Sequence, residues 1–125
     1  MENLLELRYV TISYVAEKKC LVQTWKAFCS TEEYQHAQEK SVEFVIAKGC
    51  KAFISDTTNA GLLKKEATDW AAEVIVPKLK AAGINHLDLV LPQSAFTKMT
   101  INNLEKDLGS FMRYYNSYVS AYNAI

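Results

Sequence analysis

A helix followed by a buried strand can be read from residues 30–56, STEEYQHAQEKSVEFVIAKGCKAFISD. Ser30 and Glu33 have the spacing of a capping box, in which the hydroxyl and the carboxylate each accept from a backbone N–H at the helix start. Apolar residues follow at helical spacing as far as Gly49, a common helix stop. Residues 52–55, AFIS, are apolar without alternation, which is typical of a strand covered on both faces. The segment predicts one helix-to-strand unit of an α/β fold.

The flanking segments extend this alternation. Residues 4–15 and 20–26 are rich in β-branched and aromatic side chains and are separated by a short polar turn, so they predict an antiparallel hairpin. Residues 65–82 predict a long helix, which Pro77 must kink or split because it removes a helical hydrogen bond. Residues 87–91 predict the next strand.

The C-terminal third completes the pattern. Ser94 and Thr100 are each suitable N-caps, the second for a short helix, while residues 111–115 predict a last strand and Asn116 caps a terminal helix. The order is β-β-α-β-α-β-(α)-β-α, which indicates an α/β fold with a mixed, mostly parallel sheet and right-handed crossovers. At 125 residues the chain has the size of a single domain, residues 1–125.

Charge and cysteine usage exclude several classes of protein. Lys and Arg number 14, as do Asp and Glu, so we expect neither nucleic acid nor an anionic membrane surface as a partner. No apolar run approaches the about 18 residues of a membrane span, and the amino terminus lacks a secretory signal, which predicts a cytoplasmic protein. Cys20, Cys29 and Cys50 form no C-x-x-C pair, so neither a disulfide framework nor a metal site is expected.

Catalytic groups are not brought together by the predicted topology. His86 begins the fourth strand whereas Asp56 ends the third, which separates them by about 15 Å in parallel strands. His36 lies off the apolar stripe of its helix. The thiolate of Cys29 could be favoured by the following helix N-terminus, but packing on Tyr34 as a hydrophobic staple is the preferred interpretation. We expect no enzyme, no catalytic residue and no cofactor.

Landmark residues occur in a fixed order along most of the chain: Trp25, residues 30–34, residues 53–56 with the 57–59 loop, Trp70 with Pro77, residues 82–83, residues 89–92, and residues 113–116 before Ala121. In this order and spacing the chain resembles the STAS-like, or SpoIIAA-like, family of small domains. That family is related to anti-sigma factor antagonists and to CRAL-TRIO lipid-binding domains. The resemblance implies a bacterial regulatory or protein-binding module.

In anti-sigma factor antagonists the family implies a phosphorylatable hydroxyl in an Asp-Ser-Ser-Gly turn after the central strand, where a kinase partner switches binding. The matching residues here are Asp56, Thr57, Thr58 and Asn59, so the matched phosphoacceptor is Thr58. Asn59 replaces the glycine, and residues 60–64 separate the turn from the next helix. With Asp56 adjacent, repulsion of a phosphate is at least as strongly predicted as its capture.

The expected site lies in the loops beyond the carboxyl ends of the strands, where ligands and partners of parallel sheets bind. Its residues are Asp56, Thr57, Thr58, Asn59, Trp70 and Phe96. We expect a non-enzymatic module that binds a protein partner through residues 56–63 and the helix of Trp70. The alternatives are purely structural: an Asx or ST turn at Asp56, and core packing for Trp70 and for Trp25.

A second hypothesis of a different class is a small apolar-ligand carrier of the CRAL-TRIO type. Phe96, Met99, Phe111 and Met112 mark where such a lipid-like pocket would open, although aromatic and methionine side chains at these positions also suit a plain core. The opening hairpin and residues 114–115 could equally support a homodimer or the core.

Overall fold

The computed structural model describes residues 1–93, 95 and 111–125. In these ranges the strands form one sheet in sequence order, antiparallel from β1 to β3 and parallel from β3 to β6. The strands are β1 Glu2–Glu6, β2 Val10–Val15, β3 Cys20–Trp25, β4 Ala52–Asp56, β5 His86–Val90 and β6 Met112–Tyr115. The helices are α1 Thr31–Lys48, α2 Lys65–Trp70, α3 Val76–Ala81 and α4 Tyr118–Asn123. The predicted α/β class with a mixed, mostly parallel sheet is confirmed.

The prediction of one long first strand over residues 4–15 is wrong. The chain reverses between β1 and β2, where Leu7 N–H donates to the Val10 carbonyl oxygen at 2.8 Å. The corner is fixed by contacts distant in sequence: the Tyr9 hydroxyl donates to the Glu33 carbonyl oxygen at 3.1 Å, and Arg8 binds the Glu33 carboxylate. The opening unit is therefore three antiparallel strands, and local β propensity did not reveal the turn.

Helix α1 begins and ends as predicted. Ser30 Oγ accepts from Glu33 N–H at 3.1 Å, and Glu33 Oε1 accepts from Ser30 N–H at 2.9 Å. Gly49 ends the helix with φ +63°, a left-handed conformation that favours glycine. The helix is thereby fixed at the carboxyl end of β3, where the candidate site lies.

Pro77 divides the second helical region, as the sequence predicted. A π-helical segment, Ala71–Ile75, lies between α2 and α3, and Pro77 is placed in the first turn of α3. The Val76 N–H reaches back to the Ala71 carbonyl oxygen. Because proline has no N–H to donate, a wider turn just before it preserves the continuity of the helix.

The sheet buries both of its faces. The first face carries Leu21, Phe53 and Leu87, in the same buried cluster as residues of α1 and α3. The second face carries Val22 and Ile54 and packs against α4. The predicted short helix opened by Thr100, the Ser94 cap, and the positions Phe96 and Met99 lie outside the described residues.

Glu33 should make stability depend on pH. The backbone N–H of Ser30, and after it the Arg8 guanidinium, holds the pKa of this carboxyl below its ordinary value of about 4.3. The resulting stabilisation is present above that ordinary value and is lost as the pH falls through the lower folded value. Glu33→Gln keeps an oxygen acceptor for Ser30 but cannot ionise. We expect its free energy of unfolding, measured in urea, to fall less than that of the wild type between about pH 5 and pH 3.

The matched control for this prediction is Glu32→Gln. Glu32 lies in the same first turn of α1, but the capping box uses Glu33 instead. Its variant should keep the wild-type pH dependence of the unfolding free energy. Equal pH dependence of the unfolding free energy in the wild type and in Glu33→Gln would show that Glu33 does not contribute to it.

Candidate functional site

The turn after β4 is held by its own side chains. Asp56 Oδ1 accepts from the Thr58 N–H at 3.0 Å and from the Thr58 hydroxyl at 2.7 Å. Thr57 donates both its hydroxyl, at 2.7 Å, and its N–H, at 2.9 Å, to the Val90 carbonyl oxygen at the end of β5. The segment is thus an Asx turn anchored to the neighbouring strand.

The surroundings of Thr58 determine what a phosphate would meet there. Thr58 and Asn59 are exposed, whereas Asp56 and Thr57 are half-buried. Helix α2 begins only at Lys65, and its N-cap residue Lys64 makes no side-chain capping bond. A phosphate on Thr58 would replace the hydroxyl proton that now binds Asp56, and would place about −1.5 to −2 charges beside that carboxylate.

A second loop, residues 26–30 after β3, packs directly against the first. A Cβ atom at Gly61 would lie 2.6 Å from the Phe28 Cα atom, so the two backbones approach closely because residue 61 is glycine. The Phe28 side chain is 65% exposed, and that of Leu62 is 92% exposed. Two large apolar side chains therefore point into solvent from loops that touch.

These two loops border a groove of about 230 Å³ that opens beside the N-terminus of α1. Phe28, Cys29 and Ser30 line one side, and Leu62, Leu63 and Lys64 line the other. We call the groove residues Phe28 and Leu62, together with the turn Asp56–Asn59, the loop surface. Arg8 stabilises the loop surface, since one guanidinium nitrogen donates to the Phe28 carbonyl oxygen at 3.1 Å. The sequence-based prediction included Leu62 within the 56–63 segment but singled out neither Leu62 nor Phe28; the available signal was a large apolar residue inside each loop.

The two tryptophans have different environments. Trp25 is 4% exposed and packs between the rings of Tyr9 and Tyr34, with ring centroids 6.4 and 5.4 Å away. Trp70, at the C-terminal end of α2, is half-buried against the main core cluster. The core interpretation is therefore confirmed for Trp25, and Trp70 packs partly in the core. Phe96, the remaining predicted site residue, lies outside the described residues.

An interior cavity of about 210 Å³ lies between the first face of the sheet and the helices above it. Its floor includes Phe53, Leu87 and Leu89, and its roof includes Ala71 and Ile75 of the π-helical segment. Of the residues predicted to mark an apolar pocket, Met112 lines this cavity, Phe111 packs against the main core cluster, and Phe96 and Met99 are not described. The cavity thus extends from β3 to β6.

A polar network forms one wall of the cavity. Gln23 Nε2 donates to Gln38 Oε1 at 2.8 Å and to Ser41 Oγ at 2.7 Å, while its Oε1 accepts from Ser55 Oγ at 3.0 Å and from Trp25 Nε1 at 3.2 Å. All five side chains are buried. Sequence reasoning also missed this network; the signal was a glutamine inside the otherwise apolar start of β3, and a second one on the buried side of α1.

An ion pair lies on the opposite face of the sheet. Arg113 Nε donates to Asp88 Oδ1 at 2.8 Å, and a terminal guanidinium nitrogen donates to Asp88 Oδ2 at 3.0 Å. Asp88 is 0% exposed, and the Arg113 side chain is 31% exposed. This hydrogen bonding raises the pKa of Arg113 above its ordinary value. The pair joins the neighbouring strands β5 and β6.

The histidine and cysteine side chains do not form a reactive cluster with Asp56. His86 is paired with Ala52, at the other end of β4 from Asp56, which confirms the predicted separation. Burial and the nearby Glu33 raise the pKa of Cys29, which disfavours its thiolate. Burial raises the pKa of Cys20 to about 12 and that of Cys50 to about 11.

Residues 1–93, 95 and 111–125 contain neither a membrane-spanning helix nor a metal-binding cluster. Within these ranges, no helix combines the length and the apolar character that crossing a bilayer requires. Nor do His, Cys, Asp or Glu side chains there gather in groups of three or more that could hold a metal ion.

The fold defined by this sheet order and these helices is that of a STAS-like, or SpoIIAA-like, domain. A similar solved structure is that of the anti-sigma factor antagonist SpoIIAA in its unphosphorylated form, with a TM-score of 0.63 and 12% sequence identity. The match covers 92% of this chain and 96% of that one, so the resemblance of fold extends over nearly the whole domain. No protein-family model matches the sequence, and no curated protein matches it.

Proposed function

We propose that this chain is a non-enzymatic regulatory module of the bacterial cytoplasm that binds a protein partner on the loop surface. The observation that carries the proposal is the pair of exposed apolar side chains, Phe28 and Leu62, on two loops in contact. Adjacent exposed apolar residues mark interaction sites more often than isolated ones do. The loops follow β3 and β4, at the edge of the sheet where parallel folds bind their ligands.

The partner is recognised mainly by shape and apolar contact. The chain carries as many basic as acidic residues, so its overall field neither attracts nor repels a charged protein strongly. The similar solved structure is an anti-sigma factor antagonist, which makes an anti-sigma factor the class of partner proposed here.

Thr58 is the proposed switch of this surface. Its hydroxyl binds Asp56 at 2.7 Å within the exposed turn. Phosphorylation would remove that hydrogen bond and add negative charge beside a carboxylate, and α2, the next helix along the chain, begins only at Lys65. The turn should open, and the partner should then dissociate.

Site-specific photo-crosslinking in the source cells tests the proposal. A benzophenone amino acid is placed at Asn59, an exposed position inside the loop surface, and in a matched control at Ile46, which is 66% exposed on the C-terminal part of α1. We expect Asn59 to form one discrete protein adduct that Ile46 does not form. The double substitution Phe28→Ser with Leu62→Ser should reduce this adduct at least about tenfold, which corresponds to about 1.4 kcal/mol of binding energy.

Thr58→Glu tests the switch in the same experiment. We expect the glutamate to reduce the Asn59 adduct, because it replaces the donor to Asp56 with a second negative charge. An adduct that persists with both the Phe28/Leu62 and the Thr58 changes would reject the loop surface as the binding site. An adduct that is lost with the Phe28/Leu62 change but persists with Thr58→Glu would support the loop surface as the binding site and reject Thr58 as its switch.

A further inference from the structure

We propose that the interior cavity is a binding site for a small neutral molecule that has an aromatic or aliphatic body and one amide- or alcohol-like group. The inference concerns the inside of the domain and is independent of the partner proposed for the loop surface. It rests on the size of the cavity, the chemistry of its polar wall, the absence of charge among its described lining residues, and the alanines in its roof.

The size of the cavity sets the size of the molecule. Its volume is about 210 Å³. A dry apolar cavity of about 150 Å³ in another protein accepts benzene, which has six non-hydrogen atoms, so by the same ratio this one suits a molecule of about eight or nine. The floor and roof, built from residues such as Phe53, Leu79 and Leu87, provide an apolar surface for the body of such a ligand.

The polar wall has hydrogen-bonding capacity left over. Gln38 is 7% exposed and lines the cavity. Its Oε1 accepts from Gln23 at 2.8 Å, and its interaction with the Tyr34 hydroxyl partly offsets the rise in the pKa of Tyr34 that burial causes. A carboxamide has two N–H donors and two acceptor lone pairs, so Gln38 keeps at least one donor and one acceptor beyond these two interactions. An amide or an alcohol can satisfy both at once.

The lack of charged side chains among the described lining residues excludes ionic ligands from the site. The described lining residues include no Lys, Arg, His, Asp or Glu. A carboxylate or ammonium group moved into such a cavity would lose its hydration without gaining a counter-charge, which is far more costly than burying a hydrogen-bonded neutral group. The occupant is therefore neutral.

Part of the roof leaves the space open because three of the side chains there are alanines. Ala71 and Ala72 of the π-helical segment and Ala60 of the loop line the cavity, where larger side chains would fill it. Thr68 and Ala72 are exposed and also line the cavity, so it reaches solvent beside them. A π-helical turn of this kind is frequent at functional sites.

Titration of the isolated ¹⁵N-labelled protein with benzamide and benzoate tests the inference. Benzamide has about nine non-hydrogen atoms and one amide, and benzoate has the same shape with a charge. We expect benzamide to shift the Trp25 indole N–H and the Gln38 side-chain amide signals saturably below about 10 mM, and benzoate to bind at least about tenfold more weakly. No saturation by benzamide, or equal binding of benzoate, would overturn the proposal.

Matched variants locate the binding. Ala71→Leu fills the cavity and should weaken benzamide at least about tenfold, whereas Ala81→Leu, at an exposed position of α3, should bind as the wild type does. Thermal melts establish that each variant is folded. Should Ala71→Leu not fold, Gln38→Leu decides: it should weaken benzamide but not toluene, which lacks the amide.

Equal affinities of the Ala71→Leu and Ala81→Leu variants, or a Gln38→Leu variant that binds both probes as the wild type does, would place the binding elsewhere and reject the site. Because these titrations use the isolated chain, a negative result leaves the loop surface and its partner untouched.

Discussion

Replacing Arg113 with methionine is expected to lower the free energy of unfolding by about 3 kcal/mol, because it leaves the buried Asp88 carboxylate without its cation. The guanidinium makes two hydrogen bonds, of 2.8 and 3.0 Å, to a carboxylate that is 0% exposed. Breaking a buried ion pair by removing one partner costs about 3–5 kcal/mol. The low end applies here since the Arg113 side chain is 31% exposed and water screens it in part.

Two further variants separate the pair from a general effect of losing a charge. The double change Asp88→Leu with Arg113→Met removes both ions and should recover most of the lost stability, because an apolar pair of similar size packs without a desolvation penalty. Lys65→Met breaks the exposed pair with Asp69 and should leave the unfolding midpoint unchanged. Urea denaturation measures all three variants. A double variant less stable than Arg113→Met would contradict the buried-charge explanation.

Elements whose ends are marked by neighbouring residues could be predicted from the sequence. The capping box of Ser30 and Glu33, the stop at Gly49 and the division of the helix at Pro77 each depend on residues within one or two turns. The turn between β1 and β2 could not be predicted in this way. Its corner is fixed by the bond between the Tyr9 hydroxyl and the Glu33 carbonyl oxygen, across 24 positions of the chain.

The candidate site also contains features fixed by neighbouring residues and features fixed by long-range packing. The turn Asp56–Asn59 was predictable because its two bonds from Thr58 to Asp56 join residues two positions apart. The exposure of Phe28 beside Leu62 depends instead on the close packing of Gly61 against Phe28, which only the folded chain brings about. Long-range packing of this kind leaves no periodic signal in the sequence.

The polar network was hidden for a related reason. Gln23 and Gln38 are polar residues in elements whose burial is normally inferred from apolar side chains. Their amides are buried because they satisfy each other across 15 positions of the chain. The cavity that they line has no sequence signal of its own, since it is defined by which side chains are small, such as Ala71.

Replacing Gln23 with leucine should also destabilise the domain, by about 3 kcal/mol. The Gln23 amide makes four hydrogen bonds of 2.7–3.2 Å at 0% exposure. Leucine makes none, so the Gln38 oxygen and the Ser55 hydroxyl both lose their bonds to Gln23 in the interior. Each buried polar group left unsatisfied costs about 1–3 kcal/mol.

Removing polar groups in matched sets distinguishes this cause from a simple packing defect. Ser41→Ala takes away one acceptor of Gln23 and should cost about 1 kcal/mol, because the other three hydrogen bonds of the amide remain. The double variant Gln23→Leu with Gln38→Leu should be more stable than Gln23→Leu alone, since the unsatisfied Gln38 oxygen is gone. Thermal and urea unfolding give the comparison. If the two losses simply add, the shared hydrogen bond of the two glutamines does not explain the instability. Poor packing of leucine in the wall of the cavity is then the cause.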